Sequence, residues 1–160
     1  MQNSNIDIQN ENCANIIKTL QQQGISAIPL NGKRPAFTLK WKQYQHRLPT
    51  SVTIDNWLRQ KVASYGIICG RVSGGIVVID FDCPDLYQRF VKKFQNLAKT
   101  YTVQTRRGYH LYLKSHIPIP SRQFKNCDVK GEGGYVVGAG SVVDNHQYAV
   151  MLDRPIVELA

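Results

Sequence analysis

Apolar positions along the chain follow two periodicities. Between residues 12 and 23, Cys13, Ile16, Ile17 and Leu20 recur at helical spacing, and Gly24 follows as a stop signal. Residues 53–61 repeat the pattern, with Ile54, Trp57 and Leu58 on one face and Ser51 or Thr53 available as a cap. Pro84 opens a third helix that runs through Leu86, Phe90, Phe94 and Leu97 to residue 99. The other apolar stretches are short, and residues 25–30, 65–69, 76–81, 101–105, 109–114, 135–137 and 148–152 read as strands. Asn31 and Gly32 mark a turn, and residues 70–75, with three glycines, read as a hairpin-like connection. Residues 33–49 form a long basic loop with a helical turn near 41–45. Residues 1–10 are polar and read as a flexible N-terminus, leaving 11–160 as a single domain without internal repeats. The order predicts an N-terminal α/β unit, then a mostly antiparallel sheet with a long helix against it, an α+β fold.

Composition narrows the classes. An apolar fraction of 42% and a charged fraction of 19% are those of a globular protein. No apolar run is long enough to cross a membrane and the N-terminus lacks a signal-peptide core, so the cytoplasm is the expected compartment. Cys13, Cys69, Cys83 and Cys127 stand singly, which argues against a zinc ribbon and against a disulfide framework. Cys127, His110 and His116 lack the spacing of a zinc site. The net charge of +9 favours a polyanionic partner, with nucleic acid first. Lys33, Arg34, Lys40, Lys42, Arg47, Arg106 and Arg107 lie in or beside loops, with Trp41, Tyr44 and Tyr109 among them. Aromatic rings between cations suit base stacking along a phosphate track.

Three segments carry candidate chemistry. In the first, the run Ile76-Val77-Val78-Ile79 leads into Asp80 and Asp82. Residues two apart on a strand share a face, so the carboxylates stand together unless one caps the next helix. Paired like charges call for a proton or a cation, and oxygen donors suit Mg²⁺ or Mn²⁺ in phosphoryl-transfer chemistry. In the second, His110 lies on the more polar face of its strand, just after Arg106, Arg107 and Gly108, a turn suited to phosphate. In the third, Asp128 precedes a glycine-rich loop and could complete a three-carboxylate site, with Glu132 as a competitor. That loop matches neither a dinucleotide fingerprint nor a P-loop. Ser141, closing Gly138-Ala139-Gly140-Ser141, offers a hydroxyl to phosphate or belongs to a plain turn.

Asp80-Phe81-Asp82, then Gly108-Tyr109-His110, then a single Asp128 before Gly133-Gly134-Tyr135-Val136-Val137, resembles the primase–polymerase domain of the archaeo-eukaryotic primase superfamily, found in plasmid, phage and mobile-element replication proteins. Supporting pieces run from Ile28 through Lys33, Arg34 and Pro35, Trp41, Trp57 and residues 66–70 to Tyr148. The resemblance implies an RRM-like catalytic sheet with packed helices and an N-terminal α/β module. It implies that Asp80, Asp82 and Asp128 hold two divalent metals, Mg²⁺ or Mn²⁺. It implies that His110 contacts the triphosphate, with Lys130, Lys33 and Ser141 as further nucleotide-binding positions. Gly-Ala-Gly before Ser141 departs from the prolines usual there. The implied partners are a DNA template and primer, nucleoside triphosphates, and a helicase or a helical primase accessory domain. Two rivals stay open: a metal-dependent nuclease, and a non-catalytic module that binds single-stranded nucleic acid.

Overall fold

The computed structural model describes residues 4–36 and 39–160, with side chains from Cys13 onward. Helix α1 spans Ser4–Gln22 and is followed by β1 (Ala27–Asn31), β2 (Arg34–Pro35), a 3₁₀ turn at Trp41–Gln45, α2 (Ser51–Leu58) and β3 (Ser64–Ile68). A 3₁₀ turn at Arg71–Ser73 leads to β4 (Ile76–Phe81), α3 (Pro84–Lys93), α4 (Gln95–Ala98), β5 (Thr102–Gln104) and β6 (Tyr109–Lys114). The chain closes with β7 (Arg122–Phe124), β8 (Cys127–Lys130), β9 (Tyr135–Val137), β10 (Val142–Val143), β11 (His146–Gln147), β12 (Ala149–Leu152) and β13 (Val157–Glu158). The fold is α+β, as the element order predicts. No described helix is long and apolar enough to cross a membrane.

Strands form two main sheets. The smaller is ordered β2-β1-β3-β9, and the larger β12-β5-β6-β4-β8-β7, with β13 pairing parallel to β6. Strand β4 is central because both of its edges are used: it pairs antiparallel with β6 on one side and β8 on the other. Ile76, Val77 and Val78 are all buried, which fits a run of β-branched residues without polar interruption. Each such side chain contributes roughly 1.5–3 kcal/mol on burial.

The two faces of β4 meet different neighbours. Ile76 and Val78 join the main core with Ile17, Ile28, Ile68 and Tyr112, between the larger sheet and the N-terminal module. Phe81, Leu111 and Leu113 pack on the other face against Tyr87, Leu86 and Phe90 of α3. The helices therefore back the larger sheet, and its other face looks toward the module. Asp80 and His110 share the register and parity of Val78 and Tyr112, so they lie on the module-facing side.

Several elements differ from expectation. Helix α1 begins at Ser4 rather than residue 12; the first three residues of the expected flexible stretch lie outside the described residues. Thr50, rather than Ser51 or Thr53, caps α2 by accepting from the Thr53 N–H at 3.2 Å. The single helix expected over 84–99 breaks at Phe94, whose ψ of 59° leaves the helical region. The glycine-rich segment 70–75 is hairpin-like at its base, where the Gly70 N–H donates to Ile76 O at 2.8 Å, but it also carries the chain from β3 in the smaller sheet to β4 in the larger. Strand β9 leaves the later antiparallel sheet and completes the N-terminal one.

Candidate active site

Three adjacent strands set three candidate side chains in one row. Asp80 of β4 stands in register with His110 of β6 on one side and Asp128 of β8 on the other. The β6 position depends on a close approach: Gly108 lies so near β4 that a Cβ there would fall 1.8 Å from the Phe81 carbonyl oxygen. Its turn is held by the Thr105 N–H donating to Gly108 O at 2.9 Å and the Gly108 N–H donating to Thr105 Oγ1 at 3.1 Å. Asp82 lies just beyond the end of β4, where its N–H donates to Asn126 O at 3.0 Å.

Charges and hydrogen bonds couple the row. His110 Nε2 stands 3.3 Å from Asp80 Oδ1, with the imidazole side chain 6% exposed. His110 Nδ1 is buried without a hydrogen-bond partner among the described residues. An orphan of that kind costs about 1–3 kcal/mol, which a ligand reaching the site could recover. Lys130, two residues past Asp128 on the same strand face, places Nζ 3.6 Å from Asp128 Oδ2. Burial pushes the Asp80 carboxyl up, but the His110 hydrogen bond and charge, with Lys130 and Lys33, outweigh it and hold Asp80 below the usual range. Asp82 shifts the other way: desolvation and the neighbouring Asp80 and Asp128 charges push it up, against the pull of Arg107 and Lys33.

Around this row lies a cleft of two lobes. The larger, about 330 Å³, is lined by Trp41, Lys130, Gly133 and Tyr135, and the smaller, about 40 Å³, by Asp82, Thr105, Arg106 and Arg107. Lys33, Asp80, His110 and Tyr148 line both. Arg106 also pairs with Asp144 at 3.7 Å, in the tight turn between β10 and β11.

Most of the sequence-derived residues therefore converge. Asp80, Asp82, His110, Arg106, Arg107, Lys130 and Lys33 all line the cleft, and Asp128 sits beside Asp80. Ser141 does not join them. It is fully buried, and its hydroxyl accepts from the Tyr65 N–H at 3.0 Å, so it braces β3 from the chain segment before β10. Glu132 is also structural: its carboxylate accepts from the Arg71 N–H at 2.8 Å and closes the turn after β3. Of the aromatic residues among the loop cations, only Trp41 reaches the cleft. Tyr44 packs on Trp57 in the core, and Tyr109 stacks on Tyr87 at 4.1 Å on the helical side. Cys127 packs on that side too, while His116 is exposed and paired with Glu158, so neither meets His110 in a zinc site. Tyr135 and Tyr148 were legible as strand residues and as pieces of the family resemblance, without a role in the site. Burial and the Asp80, Asp144 and Asp82 charges raise the Tyr148 phenol, which places it among the acids.

Asp80, Asp82 and Asp128 offer carboxylate oxygens, the donor type that suits a hard divalent cation. Desolvation, with the Asp80 and Asp128 charges behind it, lifts Asp82, and a cation beside it would relieve both. Among the described residues, no three acidic, histidine or cysteine side chains stand close enough to form a ready-made cage. The acids form an open edge that a cation would have to draw together. Among curated proteins, none matches the chain. The family model described as bifunctional DNA primase/polymerase, N-terminal, matches residues 17–160, and the chain belongs to this Prim-Pol family.

Proposed function

We propose that this primase/polymerase domain is a metal-dependent nucleotidyltransferase that adds nucleotides to a primer 3′-hydroxyl on a DNA template. The observation that supports the reading best is the His110–Asp80–Asp128 row, set in a cleft whose small lobe holds Arg106 and Arg107. Asp80, Asp82 and Asp128 would hold two divalent cations, Mg²⁺ or Mn²⁺. When bound, such cations activate the attacking hydroxyl and neutralise charge on the leaving pyrophosphate.

The chain's own groups do the rest. Asp80 stays ionised through the physiological range because His110 and the nearby lysines favour its anion. His110 stands beside Asp80 through Nε2 and leaves Nδ1 without a partner, available to a bound nucleotide. Arg106 and Arg107 present forked donors where a triphosphate carries its charge. Lys130 and Lys33 add positive charge beside the acids.

The same carboxylates could serve a nuclease, but a phosphodiester substrate leaves the paired arginines and the orphaned His110 nitrogen unused. We further propose that the domain works in the replication of a plasmid, phage or mobile element, beside a helicase or helical accessory domain and in the cytoplasm; the family match supports the primase/polymerase part of this reading. Extension of a labelled primer–template with dNTPs and Mn²⁺ or Mg²⁺ tests the reading. Asp80→Ala and Asp128→Ala should each lower extension by about 10³-fold or more while DNA affinity stays nearly unchanged. Full extension by either folded variant would sink the assignment. Shortening of the labelled strand in place of extension would hand the site to a nuclease.

A further inference from the structure

We infer that Trp41 and Tyr135 form the wall that holds the nucleobase of the incoming nucleotide, with its triphosphate directed toward Arg106 and Arg107. The inference rests on the nucleotide-polymerising reading above and fixes how the substrate lies in the cleft. Size is the first reason. The small lobe, about 40 Å³, admits little more than one or two water-sized groups, whereas the large lobe, about 330 Å³, is in the range that encloses small ligands. A purine ring cannot enter the small lobe, but a phosphate edge can meet its arginines.

Chemistry is the second reason. Tyr148 lines both lobes, and the large lobe adds Trp41 and Tyr135 to it. Trp41 and Tyr135 meet edge to face, ring centroids 5.1 Å apart at 74°. Both rings are half-buried and line the cleft that also contains Asp80 and His110. Aromatic side chains bind any base through its π-face.

Pre-organisation is the third. The Tyr135 hydroxyl donates to Lys33 O at 2.7 Å, which ties the ring to the turn beside β1. Gln45 Nε2 donates to Gly133 O at 2.8 Å, which fastens the turn bearing Trp41 to the loop before β9. Gly66 lets Tyr135 lie close on β3, since a Cβ there would come within 3.1 Å of its ring. A wall fixed at both ends loses little freedom on binding.

The protein has two tryptophans, and Trp57 is buried against Tyr44. Trp57→Phe therefore leaves Trp41 as the sole tryptophan, excited selectively over the tyrosines. This variant would be titrated with dATP, and separately with inorganic tripolyphosphate, in Mg²⁺ without primer–template. Quenching by dATP and none by tripolyphosphate is expected. Trp41→Ala should weaken dATP binding by about ten-fold or more and leave tripolyphosphate binding within about two-fold, and Trp41→Phe should restore most of the loss. Unquenched Trp41 together with wild-type dATP affinity in Trp41→Ala would overturn the inference while primer extension still upholds the polymerase. Quenching by single-stranded DNA but not by dATP would overturn it too and give the wall to the template. Failure of the wild-type protein to bind either dATP or tripolyphosphate would remove both readings together.

Discussion

Asp80 and His110 face each other across neighbouring antiparallel strands, with Nε2 3.3 Å from Oδ1 and the imidazole almost fully buried. The contact sets the direction in which the central acid shifts. Burial pushes the Asp80 carboxyl up; His110, aided by Lys130 and Lys33, outweighs it and holds the carboxyl below the usual range. Asp82, two residues on, lacks such a partner and its carboxyl is pushed up. Two acids of one motif thus titrate on opposite sides of the ordinary carboxylate value.

His110→Ala should raise the Asp80 pKa, because desolvation then acts against the two lysines alone. In the wild-type protein the depressed folded-state value contributes stability above the unfolded-state pKa, lost as pH falls through the folded-state one. In the variant, once burial prevails, the contribution reverses and is lost as pH rises. The stability gap between the two proteins should therefore widen from about pH 3 to pH 7. His110→Gln, which keeps a donor but no charge, should fall between them. Carboxyl ¹³C titration with parallel thermal melts reads both effects, and an unmoved Asp80 titration would refute the coupling.

Ser141→Ala should act on stability and leave the substrate alone. The hydroxyl satisfies the buried Tyr65 N–H, and removing it strands that donor at a cost of about 1–3 kcal/mol. A fall in Tm of several degrees is expected, with dATP affinity unchanged in the folded variant. Weakened dATP binding without loss of Tm would return Ser141 to the nucleotide site.

The larger sheet was partly legible in the chain. The β-branched run before Asp80 and the apolar residues around His110 mark β4 and β6 end to end, because both strands bury apolar side chains on both faces. Strand β8 carries no such mark. Cys127, Asp128, Val129 and Lys130 are all only half-buried, and the segment is held by pairing with β4 rather than by its own pattern. Asp128 was therefore visible as an acid, but its place opposite Asp80 was not. The place of Tyr148 in the site was hidden for a related reason: it reaches the cleft through tertiary packing, with its ring 5.9 Å from that of His110. Ser141 misled because a hydroxyl after two glycines looks the same in sequence whether it faces solvent or a buried amide.

Two glycines separate steric need from conformational need. Gly108→Ala should destabilise by about 3 kcal/mol, since its Cβ would sit 1.8 Å from Phe81 O and force β6 away from β4. Gly74→Ala meets no atom within 4 Å but has φ +72°, so its cost should be only about 1–2 kcal/mol. Extension should fall in folded Gly108→Ala because the Asp80–His110 register is lost, and it should persist in Gly74→Ala. Equal losses of stability and activity in the two variants would contradict the close-approach account.

Asp82→Asn should expose a conflict between stability and cation binding. Desolvation and the charges of Asp80 and Asp128 oppose ionisation of Asp82, and its folded-state pKa lies above the unfolded one. Its contribution to stability is therefore present below the unfolded-state pKa and lost as pH rises through the folded-state value. In metal-free buffer the variant should equal the wild type at acid pH and exceed it slightly at neutral pH, by about 1–2 °C in Tm because the side chain is exposed and screened. Mn²⁺ should reverse the order. A cation bound by the three acids stabilises only the folded state, so the wild-type Tm should climb with Mn²⁺ while that of the variant climbs less. Melting curves across pH, with and without Mn²⁺, test both halves. Equal responses to Mn²⁺ would remove Asp82 from the metal site, and a less stable metal-free variant at neutral pH would contradict the repulsion that lifts its pKa.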